Sequence, residues 1–353
     1  MSSLARTRVG VIGAGAWAVQ SHIPQLAARR DVELVAVCRH GASELERIRA
    51  EFGFGHASED YRDLVALELD AIVVASPASL HFEHAQAALA SGAHVLVEKP
   101  FTVTSADAWG LVELANQRAL HIVVAFGYNW HPIVMEARRL LAERSIGELR
   151  ATFVQMASGV GELLAKGTYP KHVEIPGLPA EPRTWSDPAL SGGGYAPGQL
   201  SHALGVLFAL VDMPVTDVFA FTTNEGTQVD VADAISIRYA NGAVGSIGGS
   251  ACPQGWGRDQ LEIRLYGTEG QLLIDFDRAM VSRFHGLGEE TRGQFDVGDG
   301  TYECVGPADT LVNLARGLEA ENLAPGSLGA RTVGPVEAGL LSSSTGAPAR
   351  IRW

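Results

Sequence analysis

The sequence has few cysteines, no basic cluster and no long apolar run. Cys38, Cys252 and Cys304 are its three cysteines, far apart and without a CxxC pair. That argues against a disulfide frame and a structural zinc site, and it suits a reduced, cytoplasmic protein. The net charge is −13, and Lys and Arg are scattered along the chain. Nucleic acid and anionic membrane surfaces are therefore poor partners. No apolar run reaches the roughly 18 residues that a membrane span needs. The apolar stretch from Leu204 to Val211 reads as a buried helix. The start, "MSSLARTRVGVIGAG", has no apolar core before a cleavage site, so no signal peptide is expected.

What the chain does have is length and order. At 353 residues it predicts two domains and a sizeable core. The first third alternates strands and helices, which implies a parallel sheet with right-handed crossovers. Val9, Val11 and Ile12 predict a strand, followed by Gly13, Gly15 and Ala18 in a GxGxxA pattern. An amphipathic helix is expected through Gln20 to Arg29. Gly13 permits the tight turn, Gly15 lets backbone approach a pyrophosphate, and Ala18 allows close helix–strand packing. With Ala16 and Trp17 between them, these residues predict a dinucleotide site at a helix N-terminus.

The next strand, 33 to 39, ends in Arg39 with no acid at its tip. An arginine there suits the 2′-phosphate of NADP, whereas an acid would bond the ribose of NAD. The expectation is NADP, with NAD possible. Further on, a strand at 71 to 75, the turn "SPAS", a helix closed by Gly92 and the strand of "HVLVEKPF" follow in order. Ligands of such sheets bind at the carboxyl ends of strands. Ser76, Pro77, Glu98, Lys99 and Pro100 lie at two of those ends and are expected to face the cofactor. His81 and His84 lack a third ligand at recognisable spacing, so no metal is expected.

The second half is a run of strand-like segments joined by Asn-Gly or Gly turns, for example "DAISIRYANGAVGSIGGS". Between its first strands lies a long Pro/Gly-rich insertion with Tyr169, Lys171, His172 and Trp185, suited to stacking on and hydrogen-bonding a sugar.

Taken in order, GxGxxA, "SPASLH", "GAHVLVEKP", "SIGELR", "LSGGGYAPGQLSHALG", "NGAVGSIGGS" and "IRLYGTEGQLLID" resemble the glucose–fructose oxidoreductase, inositol dehydrogenase and MocA (Gfo/Idh/MocA) family over nearly the whole chain. The resemblance implies an N-terminal Rossmann domain, 1–126, and a C-terminal α/β domain, 127–353, with a large, mostly antiparallel open sheet. It implies homodimers or homotetramers through that sheet's outer face. It also implies an NAD(P)-dependent oxidoreductase acting on a secondary hydroxyl or ketone of a sugar, glycoside or cyclitol.

By the same resemblance Lys99 bonds the reacting hydroxyl, Glu98 lies on the nicotinamide ribose side, and the Lys99–Pro100 bond is cis. His81, Tyr128 and Asn129 lie near the nicotinamide. Hydride chemistry needs a proton acceptor near neutral pH, and Lys99 and His202 are the candidates. The family pattern places an aspartate four residues before the histidine and another three after it; here Gly198 and Gly205 stand there. Three readings stay open: Gln199 or Tyr195 helps hold the substrate or His202, Lys99 carries more of the proton work, or activity is lost. Two rivals stay beside the dehydrogenase: a lyase- or hydrolase-like enzyme using tightly held NAD for transient oxidation, and a non-catalytic dinucleotide sensor.

Overall fold

The structure, a computed structural model, describes residues 6–168, 181, 183–252, 259–296 and 302–351. Among them, in chain order, run β1 (Thr7–Ile12), α1 (Ala16–Gln20), α2 (His22–Ala28), β2 (Val32–Cys38), α3 (Ala42–Phe52), β3 (His56–Ser58), α4 (Tyr61–Val65), β4 (Ala71–Val74), α5 (His81–Ala90), β5 (His94–Val97), α6 (Ser105–Gln117) and β6 (Ile122–Val124). There follow α7 (Pro132–Glu143), β7 (Leu149–Ser158), α8 (Gly161–Lys166), α9 (Arg183–Ser186) and α10 (Pro188–Ser191). A π-helical turn, Ala196–Leu200, then runs into α11 (Ser201–Leu210). The rest is β8 (Val215–Thr223), β9 (Ala232–Tyr239), β10 (Val244–Ala251), β11 (Gln260–Gly267), β12 (Gly270–Asp275), β13 (Met280–His285), β14 (Glu289–Gln294), α12 (Val305–Ala315), α13 (Gly326–Thr345) and β15 (Ala349–Arg350).

The described residues form two compact units. Residues 6–127, 181, 183–184 and 303–330 make the first; 128–168, 185–252, 259–296, 302 and 331–351 make the second.

The first unit is built on a six-stranded sheet of order β3-β2-β1-β4-β5-β6. All its pairings are parallel. This is the doubly wound order, with its crevice where the order reverses between β1 and β4. The central strands show why it must be parallel. Ala71–Val74 is buried at every residue, and so is Val95–Val97. A strand with helices on both faces carries a continuous apolar run, not an alternation. In one place the chain departs from the single helix expected after the glycine turn. It breaks at Ser21 into α1 and α2. Pro24 is the reason: it has no N–H to give the carbonyl of Gln20, so the first helix cannot continue.

The second unit holds a nine-stranded sheet, β14-β13-β12-β11-β7-β10-β9-β8-β15. Only β10 with β7 is parallel; the other pairs are antiparallel. Here the strands alternate. Thr152, Val154, Met156 and Ser158 of β7 are buried, while Phe153 and Gln155 are exposed. One face is covered and one is open. Helix α11 lies on the covered face, and every residue from Ser201 to Phe208 is buried. A helix that is apolar all round belongs in a core. No described helix is long and apolar enough to cross a membrane.

Candidate active site

In the first unit, the β1–α1 turn is drawn tight by two backbone bonds. Gly13 N and Ala14 N both donate to the Cys38 carbonyl, at 2.9 and 3.1 Å. Gly13 has φ +89°, and a Cβ there would run into the backbone of Ser76. Only glycine fits both demands. At Gly15 the reverse holds: a Cβ would meet nothing nearer than the Gly13 carbonyl, at 4.0 Å. Gly15 is exposed and stands at the N-terminus of α1, and Ala18 is buried against the sheet. The turn thus offers open, side-chain-free backbone at a helix start, the ground a pyrophosphate needs.

Arg39 sits at the tip of β2. Its Nε donates to the His40 carbonyl at 2.9 Å and its Nη1 to the Ala14 carbonyl at 3.4 Å. Burial pushes its pKa down, partly offset by Glu44. Nearby, Glu59 accepts from Gly41 N at 2.6 Å.

The ends of β4 and β5 are joined by a histidine. His81 is almost fully buried, with Nδ1 2.8 Å from the Pro100 carbonyl and Nε2 2.8 Å from the Ser76 carbonyl. Carbonyl oxygens only accept, and a neutral imidazole has one N–H. Burial pushes its pKa down, so the neutral ring bonds one carbonyl at a time. Both ring nitrogens face backbone, so His81 stands between the Ser76–Pro77 turn and the Lys99–Pro100 turn and bonds one of them at a time. His84 Nδ1 meets Ser76 Oγ at 2.8 Å, and burial pushes its pKa down to about 4.

The Lys99–Pro100 bond is cis. Lys99 is half-buried, at the carboxyl end of β5. Glu98, just before it, is 6% exposed. Its Oε1 accepts from Trp17 Nε1 at 2.8 Å and from His22 Nε2 at 2.6 Å, and its Oε2 accepts from Lys99 N at 2.9 Å. Burial alone would raise its pKa; the bond and charge of His22, with Lys99, outweigh that and hold it below the usual range. Glu98 therefore braces the backbone of Lys99 from within the unit. Sequence reasoning missed His22, 76 residues away, because no motif ties it to Glu98. Cys304 completes a buried group with ligand atoms of His22 and Glu98 all within 4.8 Å of one another. The carboxylate there already accepts three hydrogen bonds, so the group reads as structural.

In the second unit, Tyr128 and Asn129 lie in the turn Gly127–Trp130 and are buried. The Tyr128 ring meets the ring of His202 edge-on, with centroids 5.7 Å apart. The Tyr302 ring lies 4.7 Å from His202 and 5.1 Å from Tyr128. Tyr302 carried no sequence signal and joins the site only by folding. Burial, with the charge of Asp259, pushes the Tyr128 hydroxyl well above its usual pKa. His202 is 5% exposed, at the second position of α11; Gln199 is 9% exposed, in the π turn before it. π turns inside helices are frequent at functional sites.

Tyr195, expected to help hold the substrate or His202, is fully buried, and its hydroxyl accepts from Ser158 Oγ at 3.2 Å. Its ring packs where a side chain on Gly249 would be. Its part is to hold the sheet and the π turn together. Trp185, half-buried in α9, lies against Gly198. Tyr169, Lys171 and His172 lie outside the described residues.

Residues 7–126 match the oxidoreductase family with the NAD-binding Rossmann fold, GFO/IDH/MocA. Residues 134–273 match the GFO/IDH/MocA C-terminal domain. Among curated proteins, the dTDP-3,4-didehydro-2,6-dideoxy-alpha-D-glucose 3-reductase of Streptomyces antibioticus is 36% identical over 183 residues, 47% of this chain and 55% of that protein. The levoglucosan dehydrogenase of Pseudarthrobacter phenanthrenivorans is 27% identical over 242 residues, 64% of this chain and 61% of that protein. The chain thus spans little more than half the length of these relatives. Among solved structures, levoglucosan dehydrogenase in complex with NADH and levoglucosan superposes with a TM-score of 0.79, at 18% identity, covering 99% of this chain and 100% of that one. GenD2 from gentamicin A biosynthesis, in complex with NAD, gives 0.77 at 21% identity, covering 100% and 98%. At such identities the likeness shows the fold. The two family matches lie side by side along one chain and cover most of it: this protein belongs to the Gfo/Idh/MocA oxidoreductase family.

Proposed function

We propose that this chain is an NADP-dependent dehydrogenase or reductase that moves a hydride between nicotinamide and a secondary hydroxyl or ketone of a sugar. The observation that carries the reading is in the first unit: a glycine turn with open backbone over Gly15, and a half-buried lysine at the end of β5. Both relatives named above act on sugars by name.

The residues fit the dinucleotide. Gly15 leaves room for the pyrophosphate, and Gly13 lets the turn pass close against the Ser76 backbone. Arg39 is a partly desolvated cation at the strand tip. A 2′-phosphate would replace the hydration it has lost, which favours NADP. When bound, the nicotinamide supplies or accepts the hydride.

The protein's task is the proton. In oxidation Lys99 takes the hydroxyl proton at Nζ; in reduction it returns one. Glu98 fixes the Lys99 backbone, and Trp17 and His22 fix Glu98. In the second unit the ring of His202 is set edge-on by Tyr128 and Tyr302 and is of a kind that hydrogen-bonds a sugar hydroxyl. Gln199 offers an amide one turn earlier. The free thiols Cys38, Cys252 and Cys304 suit the cytoplasm. The open face of the nine-stranded sheet suits a homo-oligomer.

The test is turnover of NADP with a panel of sugars by the full chain and by Lys99→Ala. Losing a positioned general acid or base costs typically about 10²- to 10⁴-fold in kcat. K99A is expected to lose that much while binding NADP within a few-fold of wild type. Unchanged kcat in K99A would sink the assignment.

A further inference from the structure

Along the chain, Arg39 ends β2 with no acid at the strand tip. The fold brings two acids to that place. Strand β3 is the outer neighbour of β2, and Ser58 pairs with Cys38, so the chain leaves β3 level with the tip of β2. Glu59 is the next residue, and its Oε1 accepts from Gly41 N at 2.6 Å. Glu44 comes from the first turn of α3. A Cβ on Gly41 would lie 3.1 Å from Oε2 of Glu44 and 3.9 Å from Nη2 of Arg39. One cation and two carboxylates thus meet around a single glycine.

The two dinucleotides differ at this end only in the 2′ group: a neutral hydroxyl in NAD, a phosphate in NADP. A phosphate monoester carries about −1.5 to −2 at neutral pH. Arg39 attracts that charge, and a neighbouring carboxylate opposes it. The neutral hydroxyl feels little of either. Of the two acids, Glu59 acts twice. It adds a negative charge, and it holds the Gly41 N–H, a backbone donor at a helix start of the kind phosphates take.

We propose that Glu59 is a specificity-determining residue for the dinucleotide: it restrains the preference for NADP that Arg39 creates, so that the chain takes NAD as well. This rests on the dinucleotide reading above and names the second residue that sets the choice.

The experiment is titration calorimetry of the full chain with NADP and NAD, and with adenosine 2′,5′-bisphosphate and 5′-AMP, which carry the adenosine end alone. Two unit charges 4 Å apart in water change an affinity about fivefold, and a second charge on the phosphate raises that to about 30-fold. Glu59→Gln removes the charge and keeps an acceptor for Gly41 N. It is expected to tighten NADP and the bisphosphate by about 5- to 30-fold and to leave NAD and 5′-AMP within about twofold. Glu59→Ala also releases the Gly41 N–H and should tighten NADP at least as much. The gain should shrink as salt rises from about 0.1 M to about 1 M, because the Debye length falls from about 10 Å to about 3 Å. NADP affinity that neither variant moves overturns the proposal. So does an equal loss for both dinucleotides, which would make Glu59 a brace of the turn, or a loss for NAD alone, which would make it an acceptor for the ribose. Each of these leaves the dehydrogenase reading standing. A wild type that binds neither dinucleotide overturns both.

Discussion

Arg39 shows how much one side chain at a strand tip decides. Its guanidinium is not idle: Nε holds the His40 carbonyl, and Nη1 reaches back to Ala14 in the glycine turn. These are weak claims on a cation already short of water, and a 2′-phosphate would be a far better partner. A charge-assisted hydrogen bond contributes about 1.5–3 kcal/mol, roughly 10- to 150-fold in binding. Arg39→Asp is therefore expected to raise KM for NADP by at least that range and to leave NAD unchanged or improved. The steady-state ratio of kcat/KM for the two dinucleotides measures it; an unmoved ratio would return the choice of cofactor to the rest of the turn. Lys99 and Glu98 make the same point from the other side. Their positions after an apolar strand were readable, but the fact that Glu98 faces Trp17 and His22 was not, because both partners arrive from another part of the chain.

At the scale of elements, the loop that leads into the π turn and α11 depends on one acid. Asp230 accepts from Gly194 N at 2.6 Å and from Ala196 N at 2.7 Å. A side chain on Gly194 would collide with the Asp230 backbone, so this glycine is required by close approach. Asp233 is buried beside it. Burial, then the charge of Asp230, pushes Asp233 up from 3.8 to about 8. Its folded form holds the proton more tightly than the unfolded chain. The stability it contributes is present below about pH 4 and is lost as pH rises toward 8, at about 1.4 kcal/mol for each unit of difference. Asp233→Asn keeps the neutral shape at every pH. Denaturant unfolding at pH 5 and pH 9 should show a smaller alkaline loss for D233N than for wild type; equal losses would mean Asp233 is charged in the fold.

At the scale of the whole molecule, the nine-stranded sheet leaves one face open. Phe153 is 48% exposed and Phe221 69%. Phe153 pairs across strands with Ser246 and Arg264. Gly248, Ser250 and Glu262 extend the same shallow surface. A large sheet face with exposed aromatics among small residues is suited to a second copy of itself. Light scattering after size exclusion should give a dimer or tetramer for wild type and a smaller mass for Phe153→Glu, with its melting temperature retained because Phe153 is already half in water. A monomeric wild type would reject the assembly.

By itself the sequence determined the period of each half and the places where backbone must bend. Continuous apolar runs at 71–74 and 95–97 require a sheet covered on both sides, and alternation in β7 and β9 requires one covered on one side. Those are local consequences of side-chain spacing. Gly13 was readable for the same reason, since a turn into a helix leaves few residues any choice. The helix break at Ser21 was not foreseen, though Pro24 explains it, and only the fold shows that the break places His22 under Glu98. Tertiary structure alone decided which polar atoms meet: His81 between two carbonyls, Tyr195 sealed beneath Gly249, and Trp185 over Gly198. Such contacts join residues far apart in the chain, and they depend on burial, which spacing along a sequence does not encode.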